Sequence, residues 1–158
     1  MTVESGLADA PKVLVLNGPN LNMLGSRERK HYGTATLADI ETACRDRARD
    51  LGLQVECRQT NGEGELVGWI QEARETADGI ILNPGAYSHT SVAILDALLA
   101  VGVPTIEVHL SNIHAREEFR RSSYVSLAAQ GLICGFGPRG YTMAMDAMAE
   151  MLAGTERA

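Results

Sequence analysis

Short apolar runs alternate with stretches of helical spacing along most of this chain, and that alternation restricts the fold more than any other feature. Lys12 to Leu16 is an apolar run that opens onto Asn17-Gly18-Pro19-Asn20. After an irregular stretch to about Thr36, Leu37, Ile40, Cys44, Ala48 and Leu51 recur at helical spacing, and Gly52 ends the pattern. Leu53 to Arg58, Gly79 to Asn83, Val103 to Leu110 and Gly131 to Gly135 read as four further strands. Glu65 to Thr76, Thr90 to Val101 and Arg139 to Leu152 read as helices, and an Arg-rich helical segment is expected to run to about Arg121. Strands alternating with helices predict an α/β fold, a parallel sheet with helices on both faces. Right-handed crossovers leave few topologies. For five strands the reading is a flavodoxin-like doubly wound sheet of order 2-1-3-4-5. One domain over residues 11–153 is expected, after a flexible extension at 1–10 and before a short tail at 154–158.

The chain has 158 residues, with 14 Lys and Arg against 20 Asp and Glu, so its formal net charge is -6. That balance argues against nucleic acid or an anionic membrane surface as partner. Aromatic residues are too few to make stacking platforms for bases. No apolar run reaches the length of a membrane span, and Met1 to Ala10 does not read as a secretory signal. Cys44, Cys57 and Cys134 are odd in number and far apart, which fits reduced thiols in a cytoplasmic protein.

Ligands of such sheets bind beyond the carboxyl ends of the strands. Those ends carry Asn17 and Asn20, Thr60 and Asn61, Asn83, and then Glu107, His109 and Ser111. Glu107 and His109 are two apart and share one face of their strand. Two readings stand at this point. They belong to a solvated edge strand, or they form a deliberate pair in a strand that should read apolar throughout. Asn and His at these ends, without an Asp cluster, describe a cleft that hydrogen-bonds a polyhydroxylated small molecule and can move a proton.

Other motifs carry less. Gly135-Phe-Gly-Pro-Arg-Gly140 has the spacing of a dinucleotide loop, but no later strand completes that unit. It reads as a tight turn with close helix-sheet packing. His109 and His114 lack the company of a zinc motif, so no metal is expected. A phosphoacceptor receiver would need acids where Asn17, Asn20 and Asn83 stand, and a flavin protein would need a Ser/Thr-rich phosphate loop. The irregular stretch from Asn17 to Thr36 is longer than ordinary connections. It holds Arg27, Glu28, Arg29, Lys30, His31 and Tyr32, which read either as a solvated charge run or as a closing loop that carries a base. Tyr32 has a reference pKa near ~10, which nearby cations would lower.

Together these residues resemble the type II 3-dehydroquinate dehydratases from about Lys12 to Leu152. The matching pieces are Leu16-Asn-Gly-Pro-Asn-Leu21, Arg27-Glu28 with Tyr32-Gly33, and Gln59 to Glu65. Ile81 to Val92, Glu107 to Arg120, Gly137 and Gly140-Tyr141 complete them. The resemblance implies a catalytic domain that converts 3-dehydroquinate to 3-dehydroshikimate by anti elimination through an enolate. It implies Tyr32 as the base at C2, with Arg27 lowering its pKa. His109 would be the acid toward the C1 hydroxyl, Glu107 would orient its ring, and Asn20 would hold a water against the enolate oxygen. Asn83, His89, Arg120 and the backbone amides near Leu110 and Ser111 would bind substrate, and Arg116 would support the lid. It also implies trimers assembled into a dodecamer, with Asp96 reaching across to a neighbouring site. No cofactor is implied. The sequence departs from the family pattern at Arg29, where proline is common, at Ser26, where a basic residue is frequent, and at Gly62. The readings set against it are the same reaction in quinate catabolism and a non-catalytic ligand-binding module on the same fold.

Overall fold

The computed structural model describes residue 6, residues 8–26 and residues 33–155. Five parallel strands form one sheet: β1 Lys12–Asn17, β2 Gln54–Gln59, β3 Gly79–Asn83, β4 Thr105–His109 and β5 Gly131–Cys134. Their order is 2-1-3-4-5, the flavodoxin-like order expected. Four helices cover it: α1 Leu37–Leu51, α2 Glu63–Thr76, α3 Val92–Val101 and α4 Arg139–Thr155. Residues 8–10, assigned from sequence to a loose extension, are touched by Gln54, whose side-chain amide donates to Ala10 O at 2.9 Å.

Alternation within the strands divides the core in two. Val13, Val15, Ile81, Ile106 and Val108 face α1 and α4, whose Ile40, Cys44, Tyr141, Met145 and Met148 pack on them. Leu14, Leu16, Ile80 and Leu82 face α2 and α3, against Leu66, Ile70, Ile94 and Leu98. Both faces of the central strands are therefore dry, which is why β1 and β3 read as near-continuous apolar runs.

Local chemistry sets the helix ends. Thr36 Oγ accepts from the Asp39 amide, and Asp39 answers by accepting from the Thr36 amide at 2.9 Å, a reciprocal cap at the start of α1. Gly52 ends that helix at φ 69°, a left-handed conformation that side chains resist. Ser91 caps α3, which begins two residues later than Thr90.

The Arg-rich segment after β4 is not the continuous helix expected. It forms two short 3-10 turns, Ile113–Ala115 and Glu118–Arg120. Arg116 (φ -110°, ψ -159°) and Glu117 (φ -58°, ψ 147°) are extended between them and interrupt the hydrogen-bond ladder. The break lets Arg116 and Arg120 both face one cleft instead of following a solvated helix surface.

The ends of β1 and β3 are drawn together at Gly18. Its amide donates to Asn83 O at 2.8 Å. A Cβ built there would lie 2.5 Å from Pro84 O and 2.8 Å from Pro84 C, so only glycine allows the approach. Gly79 is crowded too, but by the end of the Met148 side chain, whose Sδ would be 2.5 Å from the added carbon. Backbone cannot swing aside as a thioether can. Gly18→Ala should therefore cost about 1–3 kcal/mol or more, and clearly more than Gly79→Ala. Denaturant midpoints at matched protein concentration measure this; equal losses would show that the Gly18 wall yields.

Candidate active site

The strand ends open into a cleft of about 420 Å³, lined by Asn20, Asn83, His89, His109, Leu110, Ser111, Arg116 and Arg120 among others. That volume suits a small polar molecule. These eight residues were all singled out from sequence, and the fold brings them to one place. Glu107 lies beneath the cleft, fully buried. Asp96 is exposed on α3 and does not line the cleft of its own chain. Arg27 and Tyr32 lie outside the described residues, but Leu24, just before them in sequence, forms part of the cleft wall.

β4 is an interior strand, between β3 and β5, so Glu107 and His109 are not solvated edge residues. Both are buried, His109 at 5 % exposure. His109 Nε2 lies 3.4 Å from Glu107 Oε1. That is longer than a charge-assisted hydrogen bond of ~2.7–2.9 Å, and Nε2 has no well-directed partner among the described residues. Glu107 itself is well supplied: the hydroxyl of Ser123 donates to Oε1 and that of Ser126 to Oε2. Burial pushes the Glu107 carboxyl upward, but His109 and the two hydroxyls outweigh it and hold the group below the usual glutamate value.

His89 stands beside His109, with ring centroids 6.4 Å apart and planes 16° from parallel. Its Nδ1 is 2.8 Å from Ser122 O, an acceptor only, so Nδ1 carries the proton and a neutral ring keeps Nε2 as its acceptor. At the cleft mouth Arg120 Nε is 2.8 Å from Glu117 Oε2, and Arg116 Nε is 3.7 Å from the same oxygen. Glu117, which sequence reasoning passed over, thus sits between the two arginines. Arg116 Nη1 also reaches Ser111 Oγ at 3.3 Å. The helix expected to present amides near Ser111 and Asn112 is only the Ile113–Ala115 turn, so a helix dipole adds little there.

On the other face of the sheet a second buried network supports the cleft. The Tyr141 hydroxyl donates to Asn17 Oδ1 and accepts from Asn83 Nδ2 at 2.8 Å. The Gly85 amide donates to Asn83 Oδ1 at 3.1 Å, which fixes which end of the amide points where. Asn20 is held by its backbone, with φ 68° and its amide 2.9 Å from Asn61 Oδ1. The loop from Gly135 to Gly140 serves the end of β4: Gly137 N donates to Leu110 O at 2.9 Å. Among the described residues no group of three or more His, Cys, Asp or Glu is placed to hold a metal ion. No helix among them is long and apolar enough to cross a membrane.

Burial drives the Tyr141 phenol well above its ordinary pKa, so the group is a neutral hydroxyl. Removing it by Tyr141→Phe leaves Asn83 Nδ2 and Asn17 Oδ1 without that partner, and Asn17 Nδ2 already has none. The loss should be about 1–3 kcal/mol of stability, read as a lower denaturant midpoint with unchanged slope. A wild-type midpoint would mean that water replaces the hydroxyl.

A model of the family Dehydroquinase class II matches residues 11–149. The "3-dehydroquinate dehydratase 1" of Agrobacterium fabrum is 59% identical over 141 residues, 89% of this chain and 97% of that one. The "3-dehydroquinate dehydratase 2" of Pseudomonas putida is 59% identical over 142 residues, 90% of this chain and 95% of its own. The crystal structure of the type II dehydroquinase from Propionibacterium acnes superposes with a TM-score of 0.86 at 47% identity, covering 89% of this chain and 97% of that one. With a match that spans nearly the whole folded chain, and with a cleft built from the same motifs, this protein belongs to the class II dehydroquinase family.

Proposed function

We propose that this chain dehydrates 3-dehydroquinate to 3-dehydroshikimate, the reaction for which its relatives are named. The observation that carries the reading is the buried Glu107–His109 pair at the floor of a cleft whose mouth holds two arginines. A carboxylate beside one ring nitrogen fixes the imidazole and stabilises its charged form, leaving Nδ1 to face the reaction. His109 then protonates the departing C1 hydroxyl. Tyr32, on the segment that follows the cleft wall, removes the C2 proton, with the Arg27 guanidinium favouring the phenolate. Asn20 holds a water against the enolate oxygen, where a preorganised donor lowers the barrier. Asn83, His89 and the amides at Leu110 and Ser111 bind hydroxyls and carboxylate. Arg120, whose Nε is engaged by Glu117, has its terminal nitrogens for the same purpose. Arg116 supports the lid. The scheme uses an acid, a base and fixed dipoles, and asks for no cofactor. We place the enzyme in the cytoplasm and in aromatic biosynthesis; quinate breakdown uses the same step.

Supplying 3-dehydroquinate and following the ultraviolet absorbance of the conjugated enone tests the reading directly. No absorbance with folded protein would overturn it. Tyr32→Phe should lower kcat by about 10²–10⁴-fold, the contribution of a positioned base, with affinity for a product-like ligand within about tenfold. Retention of more than about a tenth of turnover would point to another base.

The assembly we propose is a dodecamer of four trimers, in which Asp96 completes a neighbouring site. Val92 and Leu99 flank Asp96 one turn to either side and are 51% and 60% exposed. Apolar groups at that exposure around one carboxylate favour cover by a second chain. Co-expressing His109→Ala with Asp96→Ala should restore roughly a quarter of sites, since cyclic symmetry lets each site draw on two chains. Two inactive parents whose confirmed co-assembly stays inactive would show that Asp96 does not act in trans.

A further inference from the structure

Ser123 and Ser126 lie outside the cleft and touch no part of its wall, yet they reach its deepest charged group. Each donates a hydroxyl proton to a different oxygen of Glu107. The Ser126 amide points at Ser123 Oγ, 3.4 Å away, and so supplies that oxygen with a donor while its proton goes to the carboxylate. A protonated glutamate would have to give a proton to one of these oxygens; two donors on two oxygens suit the anion.

The serines are held independently of Glu107. Ser122 O accepts from His89 Nδ1 at 2.8 Å, and the Tyr124 amide donates to Ser88 O at 2.8 Å. Val125, between them, is fully buried against the core that faces α2 and α3. The segment is thus fixed by backbone bonds and by packing, and its hydroxyls are preset toward β4. Their effect has one route outward, because the third neighbour of the Glu107 carboxylate is His109 Nε2.

We propose that Ser123 and Ser126 are positioning residues that hold Glu107 ionised and thereby keep the dyad's proton on His109 rather than on the carboxylate. Both hydroxyls stabilise the charged state in which Glu107 is an anion and His109 an imidazolium. Without them the neutral alternative, a carboxylic acid beside a neutral imidazole, gains ground. The other charged or titratable groups around the dyad are His89 from the turn at Gly85–His89, Arg116, Glu117 and Arg120 across the cleft, and Cys134, which pairs with His109 in register on β5. None of them bonds Glu107 among the described residues, so the serines are its own regulators.

The functional consequence rests on the reading of His109 as the acid, and the test separates the two. The protein is labelled with ring-carbon-13 histidine, and the His109 signal is assigned by its loss in His109→Gln. It is then titrated in wild type, Ser123→Ala, Ser126→Ala and the double variant, with folding checked by circular dichroism. The His109 titration should move to lower pH in each single variant and further in the double variant. It should return toward wild type in Ser126→Thr, which keeps the hydroxyl. On 3-dehydroquinate, kcat should fall about 10–100-fold in the double variant, the range for losing outer partners of an oriented histidine, with KM little changed. A double variant that does not fold leaves the single variants to decide by the same signal. A titration unmoved in folded variants overturns the proposal. A moved titration with unchanged kcat upholds the serine link and instead removes His109 as the acid.

Discussion

A parallel sheet covered on both faces has one rule for polar side chains: whatever it carries inward must be satisfied by protein, because water is absent. Four polar residues break the apolar pattern at the carboxyl ends of the strands, Asn17, Asn83, Glu107 and His109, and all four are buried. Each obliges a partner on the element packed over it. Asn17 and Asn83 share the face covered by α4, which provides Tyr141. Glu107 and His109 share the opposite face, where the segment after the broken Arg-rich turns provides Ser123 and Ser126. The cleft is what remains between these two clusters. Its only two buried side-chain atoms without a well-directed partner among the described residues are Asn17 Nδ2 and His109 Nε2, one in each cluster. Such atoms cost about 1–3 kcal/mol apiece, and their confinement to the site fits the tendency of proteins to violate packing rules where function requires it.

The sheet was legible because its information is periodic. Apolar alternation, capping residues and glycine stops placed every strand and helix to within a few residues, and the strand order followed from handedness. The Arg-rich segment misled because Arg116-Glu117-Glu118 has good helical propensity. Propensity is a weak prior, and here it lost to a trajectory that brings Arg116 and Arg120 onto one cleft. The Glu107–His109 ambiguity could not be settled within the strand itself. Only the position of β4 between β3 and β5 decides that the pair is covered.

The supporting residues were illegible for a different reason. Tyr141 fits the apolar face of α4, so periodicity counts it as core and says nothing of where its hydroxyl points. Ser123 and Ser126 sit in a stretch with no period at all, in a region where serine ordinarily means a solvated loop. The one available signal was chemical: a glutamate inside an apolar strand must have donors somewhere. That signal demands partners without naming them, because the partners are chosen by the path of a loop that sequence patterns do not describe.

This division of labour bears on how acid and base would be tuned in the proposed reaction. The environment of His109 is built from strand ends and from a segment tied to them by backbone bonds, so it is set when the chain folds. Tyr32 comes from the stretch between Ser26 and Gly33, with Arg27 as its companion in sequence. Its reference pKa near ~10 keeps it protonated and inert in water, and it becomes a base only where cations face it. Putting the acid on the scaffold and the base on the connecting segment makes the acid permanent and the base conditional. A cleft with both groups fixed and charged would have to hold an imidazolium and a phenolate together without substrate, where proton transfer between them would quench both. Keeping the phenol away until the cleft is filled avoids that loss, and it gives a physical reason for so long a connection between β1 and α1 in a fold whose other loops are short.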